Sequence, residues 1–215
     1  MKTVFDNADE VLDYFYMYIL GNGIEKDGTM YVRNVSFGIM IPEENKITVV
    51  WRSWNENYAK LEYEWYKKGD RSPAMVEKIA KLWSTIKDDS GYVNSNYGNW
   101  WKRNQQHERC LKMLSENKNT RRAVMVHYDV DDIQNYGKDT PCNLVVNFYI
   151  DASGRLCLTI FARSIDLIYG FCNDQYCFSR LLIDSAKYLK RSVGLMHYFI
   201  TDLHIYEKHY NLKSY

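Results

Sequence analysis

Apolar residues at Val11, Leu12, Phe15, Met17, Ile19 and Leu20 recur at helical spacing, so residues 6–20 read as an amphipathic helix that Gly21 can stop. Met30–Gly38 and Ile47–Trp51 alternate or cluster β-formers and predict strands. Helical spacing returns in Tyr58–Lys68. Ser72-Pro73, a cap residue followed by a first-turn proline, predicts a helix reaching Lys87. Gly91–Trp101 is rich in Asn, Gly and Tyr and reads as a loop, and Gln105–Glu116 as a helix closed by Asn117-Lys118-Asn119-Thr120.

From Arg122 onward strands dominate the pattern: Ala123–Tyr128, Leu144–Ile150 and Leu156–Ala162, the last two joined by a hairpin turn at Asp151-Ala152-Ser153-Gly154. Asn173 and Asp174 open a long amphipathic helix to Arg191, Gly194 is its expected stop, and Met196–Tyr206 is a final strand. No Pro/Ser-rich linker and no internal repeat interrupts residues 1–215. The expectation is one α+β domain with a mixed or largely antiparallel sheet flanked by helices.

Composition narrows the function classes. Lys plus Arg (28) nearly cancel Asp plus Glu (27), so the basic footprint of a nucleic-acid binder is missing and any phosphate must be met by a few placed cations. Five cysteines, Cys110, Cys142, Cys157, Cys172 and Cys177, form an odd set without CxxC pairs, against a disulfide scaffold or zinc ribbon. Cys172 and Cys177 have no His at ligand spacing, so no metal is expected. The first residues lack an apolar signal core and no run approaches membrane-spanning length, so a reduced, cytoplasmic protein is expected.

Several residues admit both a plain and a chemical reading. Cys142, after Pro141, is either a small core hydrophobe or a thiol nucleophile, and the second needs a nearby cation to favour the thiolate. The hairpin after Leu144 returns the chain so that Arg163 lands beside Cys142 if the register is simple. Arg121-Arg122 and Arg163-Ser164 suit solvated faces, but an Arg fork with a hydroxyl also suits a monophosphate. Asp174 is either an ordinary helix cap or a ligand-reading carboxyl. Glu62 and Glu64 lie about 200° apart on a helix and face different ways. His204 and Tyr206, two apart on a strand, share one face.

Taken in order, Arg121-Arg122, Pro141-Cys142, Arg163-Ser164-Ile165-Asp166, Gly170-Phe171-Cys172-Asn173-Asp174 and His204-Ile205-Tyr206 resemble the thymidylate synthase superfamily over residues 57 to 210. Asn94-Ser95-Asn96-Tyr97-Gly98, Glu62-Tyr63-Glu64-Trp65-Tyr66-Lys67 and the Gly-Phe-x-Asn-Asp pattern are similar to its phage deoxycytidylate hydroxymethylase branch.

The resemblance implies a thymidylate synthase-like fold whose sheet face forms a homodimer. It implies Cys142 as nucleophile, Glu62 and Tyr97 in water and proton handling, and Asp174 and Asn173 at the base. Arg163, Ser164 and Lys26 (the last on a loose match) would meet the phosphate, together with Arg121 and Arg122 donated by the neighbouring subunit. His204 and Tyr206 would meet the sugar 3′-hydroxyl, and Asp166 and Gly170 the folate. The partners are a pyrimidine nucleoside monophosphate and 5,10-methylenetetrahydrofolate.

Asp174 stands where the synthases carry Asn. A carboxyl group complements cytosine, accepting from the C4 amine and sharing a proton with N3, whereas an Asn amide complements uracil. The expected reaction is therefore hydroxymethylation of dCMP at C5. The alternatives are a dUMP C5 methylase or hydroxymethylase, CMP in place of dCMP, and a silent nucleotide-binding protein. Asn143 follows the cysteine where synthases have His, and Cys172 replaces a basic residue of the hydroxymethylases. The sequence ends at Tyr215, without the synthases' tail that closes over folate, which leans towards hydration over hydride capture.

Overall fold

The computed structural model describes residues 1–130 and 137–213. Among these, eight strands form one mixed sheet. They are β1 (Val4–Phe5), β2 (Ile24–Lys26), β3 (Thr29–Ile39), β4 (Val124–Val126), β5 (Asn143–Ile150), β6 (Leu156–Ala162), β7 (Ile165–Asp166) and β8 (Val193–Tyr206). The main order is β1-β3-β8-β6-β5-β4, with β2 paired to β3 and β7 to β8. The β3–β8 and β5–β6 pairs are antiparallel and β6–β8 is parallel. The helices are α1 (Ala8–Asn22), α2 (Glu56–Lys68), α3 (Leu82–Ile86), α4 (Tyr97–Lys102), α5 (Gln106–Glu116) and α6 (Cys172–Tyr188).

Side chains alternate across the sheet, which explains its two unlike faces. Phe37, Phe148, Leu158, Ile160, Met196, Tyr198 and Ile200 point inward and are buried under α1 and α6. Each fully buried side chain of this size contributes roughly 1.5–3 kcal/mol. On the opposite face Val124, Val126, Phe161 and Phe199 stay exposed, and Phe161 stacks on Phe199 at 5.1 Å.

Four expectations are corrected. Ile47–Trp51 is not a strand: Thr48 and Val49 donate their backbone N–H groups to the Asp9 carboxylate, so a side chain replaces the ladder, and a 3-10 turn follows at Val50–Arg52. Ser72–Lys87 is not one helix. Ser72 makes no side-chain cap bond, a 3-10 turn spans Pro73–Met75, and α3 is placed by the Trp83 indole N–H donating to the Tyr58 hydroxyl at 2.8 Å. The Gly91–Trp101 loop ends in α4, because Asn96 is a cap accepting from the Asn99 N–H at 2.9 Å. Gly194 does not end α6 but lies in β8, where an added Cβ would sit 2.5 Å from the Cys157 sulfur.

Candidate active site

The β5–β6 hairpin sets the nucleophile's position. Asn143 pairs with Ala162, and the Arg163 N–H donates to the Cys142 carbonyl at 2.9 Å. The Arg163 guanidinium therefore stands 3.6 Å from the Cys142 sulfur while also donating to the carbonyls of Thr140 and Pro141. Cys142 is the one cysteine with partial exposure; the other four are buried. Burial pushes its thiol up to about 11, and Asp174, Asp139 and Asp166 reinforce that against the pull of Arg163. The cation expected to depress the thiol is thus in place but outweighed by dehydration.

Behind Cys142 lies a wall of polar groups from α2, α4, β5 and α6. The Asn143 side-chain N–H₂ donates to Asp174 Oδ2 at 2.8 Å and to the Tyr97 hydroxyl at 2.9 Å. The Asn143 backbone N–H reaches the same hydroxyl at 3.2 Å. The Tyr97 oxygen accepts both, so its own proton is left to point elsewhere. Asp174 sits in the first turn of α6, whose N-cap Phe171 makes no side-chain bond; the carboxyl faces Asn143 and does not cap the helix. Burial raises the Asp174 carboxyl to about 7.

Glu62 is buried on α2 and raised to about 8, first by burial and then by the nearby Asp174 charge. Tyr58 donates to its Oε1 at 2.9 Å, while its Oε2 has no partner among the described residues. Glu64 faces outward and pairs with Lys67, as the spacing on the helix requires.

The other side of the site is more open. β7 runs beside β8 with Asp166 opposite His204. Asp166 accepts from the N–H groups of Ile168 and Tyr169, capping a π-helical turn at Leu167–Phe171 that carries Gly170 and delivers the chain into α6. Ser164 Oγ lies 3.5 Å from His204 Nδ1, which donates to Asp202 at 2.9 Å. His204 and Tyr206 meet edge to face at 5.3 Å. Asn173 accepts from the Trp54 indole N–H at 2.9 Å.

Lys26 is exposed at the tip of the β2–β3 hairpin, whose Asp27-Gly28 turn has φ of 51° and 73°, as a type I′ turn demands. Thr29 pairs with Tyr206, which sets this tip at the His204 end of β8. Arg121 and Arg122 lie outside the cluster, exposed at the start of the edge strand β4.

Sequence reasoning noted Asn143 only as a departure and passed over His127 and Asp202. His127 is fully buried, lowered to about 4 by dehydration, and lies 2.9 Å through Nδ1 from the Asn143 carbonyl. Asp202 precedes His204 by two residues on the same strand face, a signal that alternation alone carried. No group of three or more potential metal-ligating side chains occurs among the described residues.

The cluster thus joins a thiol beside an arginine at a hairpin end to the buried Glu62 carboxyl and the partly buried Asp174 carboxyl. Residues 28–214 match the thymidylate synthase family profile, and the chain belongs to the thymidylate synthase family. Its relatives include the "Deoxyuridylate hydroxymethyltransferase" of Pseudomonas phage M6, 28% identical over 88% of this chain and 56% of that protein. The "Deoxycytidylate 5-hydroxymethyltransferase" of Enterobacteria phage T4 is 28% identical over 74% of this chain and 70% of that protein. The "Deoxyuridylate hydroxymethyltransferase" of Bacillus phage SP01 is 31% identical over 75% of this chain and 46% of that protein. The chain thus spans about half the length of the two deoxyuridylate enzymes. No described helix is long and apolar enough to cross a membrane.

Proposed function

We propose that the protein is a one-carbon transferase that hydroxymethylates dCMP at C5, using 5,10-methylenetetrahydrofolate and water and releasing tetrahydrofolate. The carrying observation is a carboxyl, Asp174, on the wall beside Cys142 where an amide would suit uracil. The Cys142 thiolate, with Arg163 as its counterion, adds to C6 of the ring, and C5 becomes nucleophilic. Protonated Asp174 donates to N3 and draws electron density from the ring as the sulfur adds. The folate supplies a methylene unit at the oxidation level of formaldehyde.

C5 attacks the folate methylene. Tyr97, whose proton is not taken by Asn143, then relays the C5 proton away through water as the C–N bond to tetrahydrofolate breaks, leaving an exocyclic methylene on the ring. Glu62, with its unpaired oxygen, orients the water that adds to the exocyclic methylene, and Cys142 then leaves C6. The half-exposed Asp166 carboxylate, the exposed Tyr169 ring and Gly170 suit the folate: an N–H acceptor, a stacking surface and a backbone free of side chain. His204 and Tyr206 hold the 3′-hydroxyl, Ser164, Arg163 and Lys26 the phosphate, and Asn173 the base. The uncovered sheet face with Phe161 and Phe199 pairs two copies, so that Arg121 and Arg122 reach the neighbour's phosphate. The enzyme works in the cytoplasm.

Two of the relatives act by name on deoxyuridylate, which favours dUMP as the second reading. Tritium release from C5-labelled dCMP and dUMP, with product mass, decides. Faster release from dCMP with a hydroxymethyl product is expected. Faster release from dUMP gives the second reading, and nucleotide binding without release means a silent protein.

A further inference from the structure

Asn143 is a buried residue with four of its polar groups committed, its backbone N–H to the Tyr97 hydroxyl among them. One amide N–H goes to Asp174 Oδ2 and the other to Tyr97, while its backbone carbonyl lies 2.9 Å from His127 Nδ1. His127 is itself enclosed, with its ring against Tyr97 at 5.3 Å and Phe178 at 6.2 Å. The amide orientation is therefore fixed. Turning it over would leave two buried N–H donors facing nothing, whereas the present orientation leaves only the Asn143 Oδ1 acceptor without a partner among the described residues.

We infer that Asn143 is a positioning residue that sets base specificity by fixing which Asp174 oxygen can carry the proton. The inference rests on the cytidylate reading above. A hydroxyl oxygen is a poorer acceptor than a carbonyl oxygen, so an N–H aimed at Oδ2 disfavours a proton there and directs it to Oδ1. Cytosine then finds a donor, Oδ1–H, for N3 and an acceptor, Oδ2, for its amine; a carbonyl oxygen has two lone pairs and serves Asn143 and the amine together. Uracil needs the reverse, an acceptor for N3–H and a donor at O4, which would place the proton on Oδ2 against the Asn143 N–H. Selectivity is thus written one step behind the residue that touches the base.

The test is the ratio of kcat/KM for dCMP over dUMP, read by tritium release, in wild type, Asn143→Ala, Asp174→Asn and the double variant. Asn143→Ala is expected to cut the ratio at least about tenfold, and to change nothing further once Asp174→Asn is present. Should the alanine variant fail to fold, Asn143→Leu keeps the volume, removes the donor and carries the same comparison. A wild type selective for dCMP whose Asn143 variants lose rate on both nucleotides equally overturns the inference alone. A wild type that prefers dUMP overturns the cytidylate reading and the inference with it.

Discussion

Behind Cys142, the groups Asn143, Tyr97, Asp174 and Glu62 come from four elements of one chain and are held by hydrogen bonds within it. By contrast, Lys26 at a hairpin tip and Arg121 and Arg122, just before edge strand β4, stand exposed and apart from that cluster. The wall behind Cys142 is largely buried and held by hydrogen bonds, and in the proposed function its part is proton placement. The cations are exposed and spread out, and in the proposed function their part is the attraction of an anion. On the proposed function, the difference teaches that base reading is preorganised within a single chain at a cost in buried polarity, whereas phosphate binding draws partly on charges that the chain holds apart.

The largest effect should come from the nucleophile. Cys142→Ser should lower tritium release by at least about 10³-fold while leaving nucleotide binding within a few-fold. Unchanged turnover would remove the sulfur from the chemistry. Next, Asp174→Asn should reduce dCMP kcat/KM by roughly 10²-fold, the loss of one charge-assisted hydrogen bond.

Its pH profile sharpens the point. Wild type needs Asp174 protonated and Cys142 ionised, so dCMP turnover should rise to about pH 7 and then level, as loss of the Asp174 proton offsets thiolate gain. Asp174→Asn should keep rising towards the Cys142 range near 11.

Arg121→Ala with Arg122→Ala should raise the nucleotide KM about tenfold with little change in kcat. Mixing that double variant with Cys142→Ser should restore activity, since a hybrid dimer holds one complete site. No recovery on mixing would break the shared-site half of the comparison.

The smallest effect is on stability. The folded Asp174 carboxyl is raised to about 7, so the stability it contributes is full below the unfolded value of about 3.9 and lost as pH rises through 7. Asp174→Asn, neutral throughout, should therefore melt higher than wild type at pH 8 by roughly 3 °C or more and gain nothing at pH 4. Equal gains at both would mean that burial of this charge costs little.

Much of the buried wall's framework was legible in the sequence because local rules govern it. The Asp151–Gly154 turn fixes the β5–β6 hairpin and so brings Arg163 to Cys142, and helical spacing separates buried Glu62 from exposed Glu64. What was not legible depends on partners distant in the chain. Asp9 captures the N–H groups of Thr48 and Val49 and overrides a β-rich segment. Trp83 reaches Tyr58 and breaks a predicted helix. Asn143 serves Asp174 and Tyr97 at once, which no single-strand pattern encodes. The direction of the Cys142 shift was missed for the same reason: a cation can be placed from a hairpin, but the dehydration that outweighs it comes from the whole fold.

The most direct measurement uses a pyrimidine whose C5 substituent cannot leave. With 5-fluoro-dCMP and methylenetetrahydrofolate, mass spectrometry of the digested protein should find nucleotide and folate together on the peptide carrying Cys142, and far less with 5-fluoro-dUMP. Trapping by the uridylate analogue alone, or on no cysteine at all, would contradict the account.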